Sequence, residues 1–336
     1  MISVAMLSKW HVHAGDYARQ ATENPNLSIE KVWDEDAERG AAWAKELGVA
    51  FEADLSKVLA DPTIDAVIVD TPTNLHKKVI LEAIHYGKHV FTEKVLAFTV
   101  KDCEEIYKAA EEKGVKLMAS LPRLTESHYL MAQDVLDRGI LGELTTIRCR
   151  LAHNGAVPPE GKTQGWLPPH FFDPVSCGGG ALIDLGAHPI YLTNRLAGEA
   201  KSLTASLSSF LGHQVDDNAV VLVDYESGAQ GIIEAGFVSN GSPFTLELYG
   251  TKGSLLIDDQ IVRLNADHPD AGTIKQEDLP RPISSAMQQW VDAILNDQEP
   301  AITKKDVIKL TEINEAAALS NKEGRRIELK EVVQKA

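Results

Sequence analysis

Residues 65–94 read DAVIVDTPTNLHKKVILEAIHYGKHVFTEK, and this stretch decides the fold class. Asp65 to Val69 is mostly apolar and β-branched, which favours a buried strand. Leu75 to Tyr86 is helical in its spacing and stops before Gly87, a residue that commonly ends helices. His89 to Thr92 returns to strand. Because a helix separates the two strands, they cannot form a hairpin, and the unit predicts parallel pairing through a right-handed crossover.

The same alternation of strand and helix fills the first third of the chain. Further predicted strands lie at Ile2 to Leu7, Leu27 to Trp33 and Val115 to Ala119, and further helices at Ala14 to Thr22, Asp36 to Leu47 and Thr99 to Lys113. We therefore predict an α/β domain with a doubly wound parallel sheet over residues 1–121.

Residues 122–336 contain consecutive strand-like segments in place of this alternation. After a helix to about Arg138, predicted strands lie at Thr145 to Leu151, Ser202 to Leu211, Asn218 to Tyr225, Ala229 to Phe237, Thr245 to Tyr249 and Ser254 to Ile257, and final helices at Ile283 to Asn296 and Lys305 to Asn321. This order predicts an α+β domain with a large, mostly antiparallel sheet. A helix covers one face of that sheet, and we expect a second subunit to cover the other.

The composition is that of a globular protein, with 44% hydrophobic residues in 336 and a formal net charge of -16. That charge opposes binding to nucleic acid and to anionic membrane surfaces. Three cysteines without metal-ligand spacing are typical of a reducing compartment, and no signal-peptide or membrane-span pattern is seen. We expect a cytoplasmic protein with neither a nucleic-acid nor a membrane partner.

In a doubly wound sheet, ligands bind beyond the carboxyl ends of the strands. The polar residues that follow the predicted strands are therefore candidates for binding a dinucleotide, namely Ser8, Lys9, Trp10, His11, Asp34, Thr71, Pro72, Asn74, His76, Glu93 and Lys94. Asp34 ends the second strand, where a carboxylate accepts hydrogen bonds from an adenosine ribose diol and repels a 2′-phosphate. This position favours NAD over NADP, although Asp34 is equally suited to cap the following helix.

The first loop, Ser8-Lys-Trp-His-Val-His13, lacks the G-x-G-x-x-G pattern that lets a backbone approach a pyrophosphate. Backbone N–H groups with Ser8 or Lys9 would have to hold the phosphates, and Trp10 would have to point away. His11 and His13 form an H-x-H, a pattern that supplies metal ligands in barrel hydrolases. Because the strand-helix alternation ends near Ala119, a barrel is disfavoured, and we predict no metal site.

The second domain offers candidates for substrate binding and proton transfer. A long proline-rich loop near residues 153–174 is expected to form a lid or pocket wall, or simply to pack on the domain. The candidate substrate-binding residues are Arg123, His153, Trp166, His170 and Asp173. Gly178-Gly-Gly then precedes a predicted helix at Ala181 to Ala197, which places Asp184 and His188 on one face.

Three motifs in sequence order identify a family resemblance. The stretch from Asp65 to His76, the run Gly87-Lys-His-Val-Phe-Thr-Glu-Lys94, and Gly178-Gly-Gly-Ala-Leu-Ile-Asp-Leu-Gly-Ala-His188 are similar to the T-P-x-x-x-H, G-K-H-V-x-x-E-K-P and G-G-G-x-L-x-D-x-G-x-H motifs of the glucose-fructose oxidoreductase, inositol dehydrogenase and rhizopine-catabolism (Gfo/Idh/MocA) family. The chain departs from the family at Val95, which replaces a proline, and at Trp10 and His13, which replace glycines.

The resemblance implies a Rossmann domain followed by an open-faced sheet, and dimers or tetramers formed through that sheet. It also implies that Lys94, Asp184 and His188 are the catalytic residues. The predicted function is NAD-dependent transfer of a hydride to or from a hydroxyl or carbonyl of a sugar, glycoside or cyclitol. The alternative is a catalytically lapsed sensor that binds a dinucleotide or sugar on the same fold.

Overall fold

The computed structural model describes residues 1–241 and 244–333. These residues form two compact units. One comprises residues 1–120 and 284–304, and the other comprises the described residues of 121–283 and those from 305 onward.

The first 120 residues alternate strand and helix throughout. The elements are β1 (Ile2–Leu7), α1 (Ala14–Glu23), β2 (Leu27–Trp33), α2 (Ala37–Leu47), β3 (Ala50–Phe51), α3 (Leu55–Ala60), β4 (Ala66–Val69), α4 (Thr73–His85), β5 (His89–Thr92), α5 (Val100–Lys113) and β6 (Leu117–Ala119). The short elements β3 and α3 were not predicted, because two strand residues and six helical ones carry too little periodicity.

The remaining residues form a strand-rich region followed by helices. The elements are α6 (Ser127–Asp137), β7 (Leu144–Ala152), α7 (Pro174–Cys177), α8 (Ala187–Ala197), β8 (Ala200–Ser208), β9 (Asn218–Tyr225), β10 (Gln230–Gly236), β11 (Thr245–Gly250), β12 (Gly253–Asp258), β13 (Ile261–Ala266), β14 (Gly272–Ile274), α9 (Ala286–Asn296), α10 (Lys304–Glu323), β15 (Ile327–Glu328) and α11 (Lys330–Val333).

The sheet of the first unit confirms the predicted doubly wound fold. Its six strands are ordered β3-β2-β1-β4-β5-β6, and their pairings are parallel. The order reverses between β1 and β4, so the loops after these strands diverge and leave a crevice at their carboxyl ends. The loop of residues 8–13, which follows β1, and the segment from Asp70 onward, which follows β4, both lie at this reversal.

Residues 284–304 belong to the first unit, although the predicted boundary at residues 121 and 122 assigned them to the second. The reason is the amphipathic helix α9. Its Trp290 is fully buried, with its ring centroid 5.7 Å from that of Phe91, and its indole N–H donates to the Lys116 carbonyl at 3.3 Å.

The second unit contains a nine-stranded sheet ordered β14-β13-β12-β11-β7-β10-β9-β8-β15. The central pair β7 and β10 is parallel and the other pairs are antiparallel, as the mostly antiparallel prediction requires. Helix α8 packs against β7 and β10. Along β9, Val221 and Val223 are buried while Val220 and Leu222 are 37% and 52% exposed, so the sheet has one covered and one open face in this chain.

The helix predicted at Ala181 to Ala197 begins only at Ala187, so Asp184 and His188 do not share a helix. The cause is Asp216. Its carboxylate accepts from the N–H groups of Gly180 and Leu182, and its carbonyl accepts from Ala181. These contacts hold residues 181–186 in turns and place Asp184 just before the helix.

None of the helices in residues 1–241 and 244–333 combines the length and apolar character that crossing a membrane requires.

Candidate functional site

The loop after β1 has a backbone suited to a phosphate despite its lack of glycines. Ser8 has a φ of 79°, the left-handed region in which glycine is usual. No side chain within the described residues caps the start of α1, so its first-turn N–H groups have no side-chain acceptor. A helix start of this kind binds anions through its N–H groups and its dipole. The loop therefore fits the pyrophosphate of a dinucleotide.

The long side chains of this loop point away from solvent or toward other elements. Trp10 is only 9% exposed. The Lys9 ammonium donates to Glu46 at 2.6 Å and lies 5.6 Å from the centre of the Trp43 ring. The Lys9 side chain thus contacts α2, while Ser8 is buried and its hydroxyl oxygen accepts from the Trp10 N–H at 3.1 Å.

Asp34 is buried and its carboxylate is fully occupied. One oxygen accepts from the Lys9 N–H at 2.8 Å and from Arg39 Nε at 2.9 Å, and the other accepts from the Asp36 N–H at 2.8 Å and from an Arg39 terminal nitrogen at 2.5 Å. A carboxylate accepts about four hydrogen bonds. A ribose diol must therefore displace Arg39 to reach Asp34. The following helix is capped by Asp36 instead.

The segment after β4 leads into α4, whose first turn contains the buried side chain of His76. His76 has no exposed surface, and its ring nitrogens lie 2.9 Å from the Val95 carbonyl and 3.1 Å from the Thr71 carbonyl. Burial lowers its pKa. Pro72 is the N-cap of α4, and Asn74 is exposed in the first turn. His76 thus joins the segment that follows Lys94 to the segment that precedes α4.

Glu93 lies at the end of β5 and is surrounded by partners from the first loop and α1. It is 1% exposed, its Oε2 accepts from the Tyr17 hydroxyl, and His13 Nδ1 lies 3.2 Å from the same oxygen. Burial alone would raise the pKa of Glu93, but the nearby His11, His13 and Lys94 lower it below its ordinary value. Glu93 is therefore a buried anion.

Lys94 is also buried, at 5% exposure, and its ammonium lies 3.7 Å from Glu93 Oε1. The Lys94–Val95 peptide bond is cis. Nearby, burial and then the charge of Glu93 raise the pKa of Asp70 well above its ordinary value. A cation with so little exposure to water exerts a strong field on any group bound beside it.

In the second unit, His188 lies in the first turn of α8 and is 9% exposed. Its Nδ1 is 2.7 Å from the hydroxyl oxygen of Tyr191, which is itself fully buried and accepts from the Arg123 N–H at 3.2 Å. Burial raises the pKa of Tyr191 well above its ordinary value. A chain of backbone N–H, phenol and imidazole thus orients His188.

Asp184 acts electrostatically on His153, which directly follows β7. Burial lowers the pKa of His153, and the carboxylate of Asp184 partly opposes that effect. The Asp184 N–H donates to the Gly180 carbonyl at 3.1 Å. Gly180 has no room for a side chain, because a Cβ there would lie 1.8 Å from the Asp216 carbonyl oxygen. This close approach explains the third glycine of the motif before Asp184.

The proline-rich loop near residues 153–174 is partly packed against the second unit and partly exposed to solvent. Phe171 packs into a small core with Leu167 and Phe237, which supports the packing interpretation, whereas Trp166 is 59% exposed beside His153 with ring centroids 4.6 Å apart. His170 is half-buried, with its ring 5.1 Å from that of Phe171.

The other two candidate substrate residues have local partners. Asp173 caps α7, because its carboxylate accepts from the N–H groups of Val175 and Ser176. The Arg123 guanidinium lies 4.6 Å from the centre of the Phe244 ring and 3.2 Å from a Glu126 oxygen.

Three residues that contact the predicted site residues were not predicted. Tyr17 and Arg39 contact Glu93 and Asp34, and Tyr191 contacts His188. The spacing of Tyr191, three residues after His188 in a helix, is a signal that sequence carries. The contact of Tyr17 with Glu93 spans 76 residues and has no such signal.

Two family models match the chain. The model described as "Oxidoreductase family, NAD-binding Rossmann fold" matches residues 11–121, and the "GFO/IDH/MocA C-terminal domain" matches residues 129–256. Together they account for more than half of the chain, and each match falls largely within one of the two units.

Individual relatives agree with these models. The chain is 31% identical over 224 residues to 1,5-anhydro-D-fructose reductase of Ensifer adhaerens, which is 66% of this chain and 65% of that protein. It is 27% identical over 328 residues to scyllo-inositol 2-dehydrogenase (NAD(+)) of Bacillus subtilis (strain 168), which is 92% and 90% of the two chains. The crystal structure of GenD2 from gentamicin A biosynthesis in complex with NAD superposes with a TM-score of 0.81 at 25% identity over 97% of this chain and 96% of that one. This chain therefore belongs to the Gfo/Idh/MocA family of oxidoreductases, and its first unit is the NAD-binding Rossmann domain of that family.

Proposed function

We propose that this oxidoreductase transfers a hydride between NAD and a hydroxyl-bearing carbon of a sugar, glycoside or cyclitol. The named relatives are a reductase of an anhydro sugar and a dehydrogenase of an inositol, and both substrates are cyclic polyols. The observation that carries the proposal is the contact between His188 Nδ1 and the Tyr191 hydroxyl, which orients the last residue of the family's G-G-G-x-L-x-D-x-G-x-H motif. The sensor alternative lacks a comparable observation, because Lys94, Asp184 and His188 are all retained.

The cofactor would be held by the loop after β1 and by the segments after β2, β4 and β5. Ser8 and the N–H groups at the start of α1 are suited to the pyrophosphate, and Asp34 is suited to the adenosine ribose once the ribose displaces Arg39. NAD should bind more tightly than NADP, since the carboxylate of Asp34 accepts hydrogen bonds from a ribose diol and repels a 2′-phosphate.

When bound, NAD accepts or returns a hydride at C4 of its nicotinamide. His188 removes the proton from the substrate hydroxyl as the C–H bond breaks and the C=O bond forms, and it returns that proton in the reverse direction. Lys94 stabilises the negative charge that develops on the same oxygen, which a buried ammonium does better than water. Asp184 orients either the substrate or the imidazole.

Substrate binding is assigned to Arg123, His153, Trp166 and His170. Their guanidinium, imidazole and indole nitrogens can form hydrogen bonds with the hydroxyl groups of a polyol. Asp173 contributes by capping α7, which holds the end of this loop.

The protein is proposed to act as a homodimer or homotetramer in the cytoplasm. The open face of the nine-stranded sheet exposes Val220 and Leu222, and apolar sheet surface of this kind is typically buried by a second copy. The cysteines Cys103, Cys149 and Cys177 are all buried and form no disulfide among the described residues, as suits a reducing compartment.

The experiment is a screen of inositols, anhydro sugars and glycosides, followed by stopped-flow measurement of hydride transfer. Loss of a general base costs about 10²- to 10⁴-fold in rate, so His188→Ala should slow hydride transfer by that factor while NADH binding, measured by titration calorimetry, is unchanged. His268→Asn, on the half-exposed turn after β13, serves as the control and should keep the parent rate.

Hydride transfer at the parent rate in both His188→Ala and Lys94→Ala would contradict the assigned site. Tighter binding of NADPH than of NADH would contradict the role given to Asp34.

A further inference from the structure

His11, His13 and Glu93 bring three potential metal ligands together at the carboxyl edge of the first sheet. One ligand atom from each residue lies within 4.8 Å of the others, and this is the one such group within residues 1–241 and 244–333. Two of the residues stand in the loop after β1 and the third ends β5. The H-x-H pattern is thus completed by a carboxylate that is 80 residues distant in sequence.

The distances between these atoms resemble those around a single ion. His13 Nδ1 lies 3.2 Å and His11 Nδ1 lies 3.9 Å from Glu93 Oε2. Two ligands of a tetrahedral zinc ion, bound at about 2.0 to 2.1 Å, stand about 3.3 Å apart. Small rotations of the two rings would therefore complete the coordination. The ion would take the His11 Nδ1 lone pair, which now accepts a long hydrogen bond of 3.2 Å from the His13 N–H.

A second observation, independent of these distances, is the set of buried oxygens nearby. Glu93 Oε1 and both carboxyl oxygens of Asp70 are buried and have no hydrogen-bond partner among the described residues. Burying polar oxygens without partners is costly. Lys94 supplies one cation, 3.7 Å from Glu93 Oε1. A divalent ion held by Glu93 would add positive charge beside Glu93 Oε1 and near the carboxyl group of Asp70, which interacts electrostatically with Glu93.

We propose that His11, His13 and Glu93 bind a divalent transition-metal ion, of which zinc is the best match. Two imidazoles and one carboxylate form a set of three protein ligands that leaves a fourth position for water or an oxygen ligand. The His13 side chain is 39% exposed, so an ion can reach the cluster from solvent, while His11 and Glu93 are nearly buried and hold their positions.

The test uses the full-length, untagged protein after treatment with a chelator and its removal. Zn²⁺ alone is titrated by calorimetry, and Co²⁺ alone is titrated by visible absorption, since its bands report coordination geometry. The wild type should bind about one equivalent, and replacing one ligand in His13→Asn or Glu93→Gln should weaken binding at least about tenfold.

His85→Gln is the matched control, because His85 is exposed on α4 in the same unit, and it should bind the ion as the wild type does. Unchanged near-ultraviolet circular dichroism in His13→Asn would show that the variant is folded. Absence of saturable binding by the folded wild type, or equal affinity in His13→Asn, would overturn the proposal. Because no step depends on catalysis, these outcomes are separate from those of the hydride-transfer experiment.

Discussion

At the scale of single residues, His188 depends on a neighbour for its orientation. The Tyr191 hydroxyl lies 2.7 Å from His188 Nδ1 and accepts from the Arg123 N–H, so it links the imidazole to the backbone. A hydrogen bond at Nδ1 fixes the orientation of the ring. For Nε2 to accept a proton, Nδ1 must carry the hydrogen and donate it to the Tyr191 oxygen. Tyr191 is therefore assigned as a positioning residue.

Tyr191→Phe should lower turnover by about tenfold, less than loss of the base itself, which costs about 10²- to 10⁴-fold. The substrate KM should change little, and the pH profile of turnover should shift because His188 loses its hydroxyl partner. Steady-state kinetics from about pH 5 to pH 8, which brackets the ordinary histidine pKa of about 6.5, measure both effects.

Tyr129→Phe is the control, since its hydroxyl bonds to Gln133 on α6 and not to the proposed site. If Tyr191→Phe lowers only the melting temperature and leaves the pH profile unchanged, the hydroxyl has a merely structural role.

At the scale of elements, the glycine run before α8 sets where that helix begins. Asp216 binds the N–H groups of residues 180–182, and this is feasible only because Gly180 brings the backbone against the Asp216 carbonyl. Asp184 consequently stands in a turn, directed by backbone contacts and not by helix geometry.

Gly180→Ala should lower the free energy of unfolding by about 1 to 3 kcal/mol, the range for overpacking. The physical cause is that the new Cβ would lie 1.8 Å from the Asp216 carbonyl oxygen, so backbone must move. Urea denaturation followed by circular dichroism measures the change.

Gly179→Ala is the neighbouring control. A Cβ there would lie 3.1 Å from the Ile183 Cγ2, which a small side-chain shift relieves, and at ordinary contact distances of 3.5 Å from the Ile183 Cβ and 3.9 Å from Asp216 Oδ1. Equal stability of the two variants would contradict the close approach assigned to Gly180.

At the scale of the whole molecule, the open face of the nine-stranded sheet predicts self-association. Arg148 on this sheet forms ion pairs with Glu234 at 2.6 Å and with Glu247 at 3.5 Å. The charged side chains in this part of the sheet are therefore paired within one chain. The apolar part is represented by Leu222, which is 52% exposed on β9.

The wild type should scatter light with a mass that is an even multiple of 36.6 kDa, and Leu222→Lys should reduce that mass because it buries a charge in the interface. Val175→Lys, at an exposed position on α7, is the control and should leave the mass unchanged. A wild-type protein that is monomeric at micromolar concentration would contradict the prediction.

The sequence alone determined the order and kind of the main elements, because strand and helix periodicity are local properties. It predicted β1, β2 and β5 at their observed bounds, and the motifs around Lys94 and His188 identified the family. These features can be predicted from sequence because turn glycines and runs of β-branched residues determine the local backbone conformation within a few residues.

Only the tertiary structure decided which side chains meet across long stretches of chain. Trp290 packs against Phe91 of the first unit, and Arg39 hydrogen-bonds to Asp34. Glu93 contacts Tyr17 and His13, which are 76 and 80 residues away in sequence. No metal site is predicted from sequence at the H-x-H because a barrel fold is disfavoured, and the nearness of Glu93 to His11 and His13 is visible only in the tertiary structure. The physical reason is that a parallel sheet brings strand ends together at one edge irrespective of their separation along the chain.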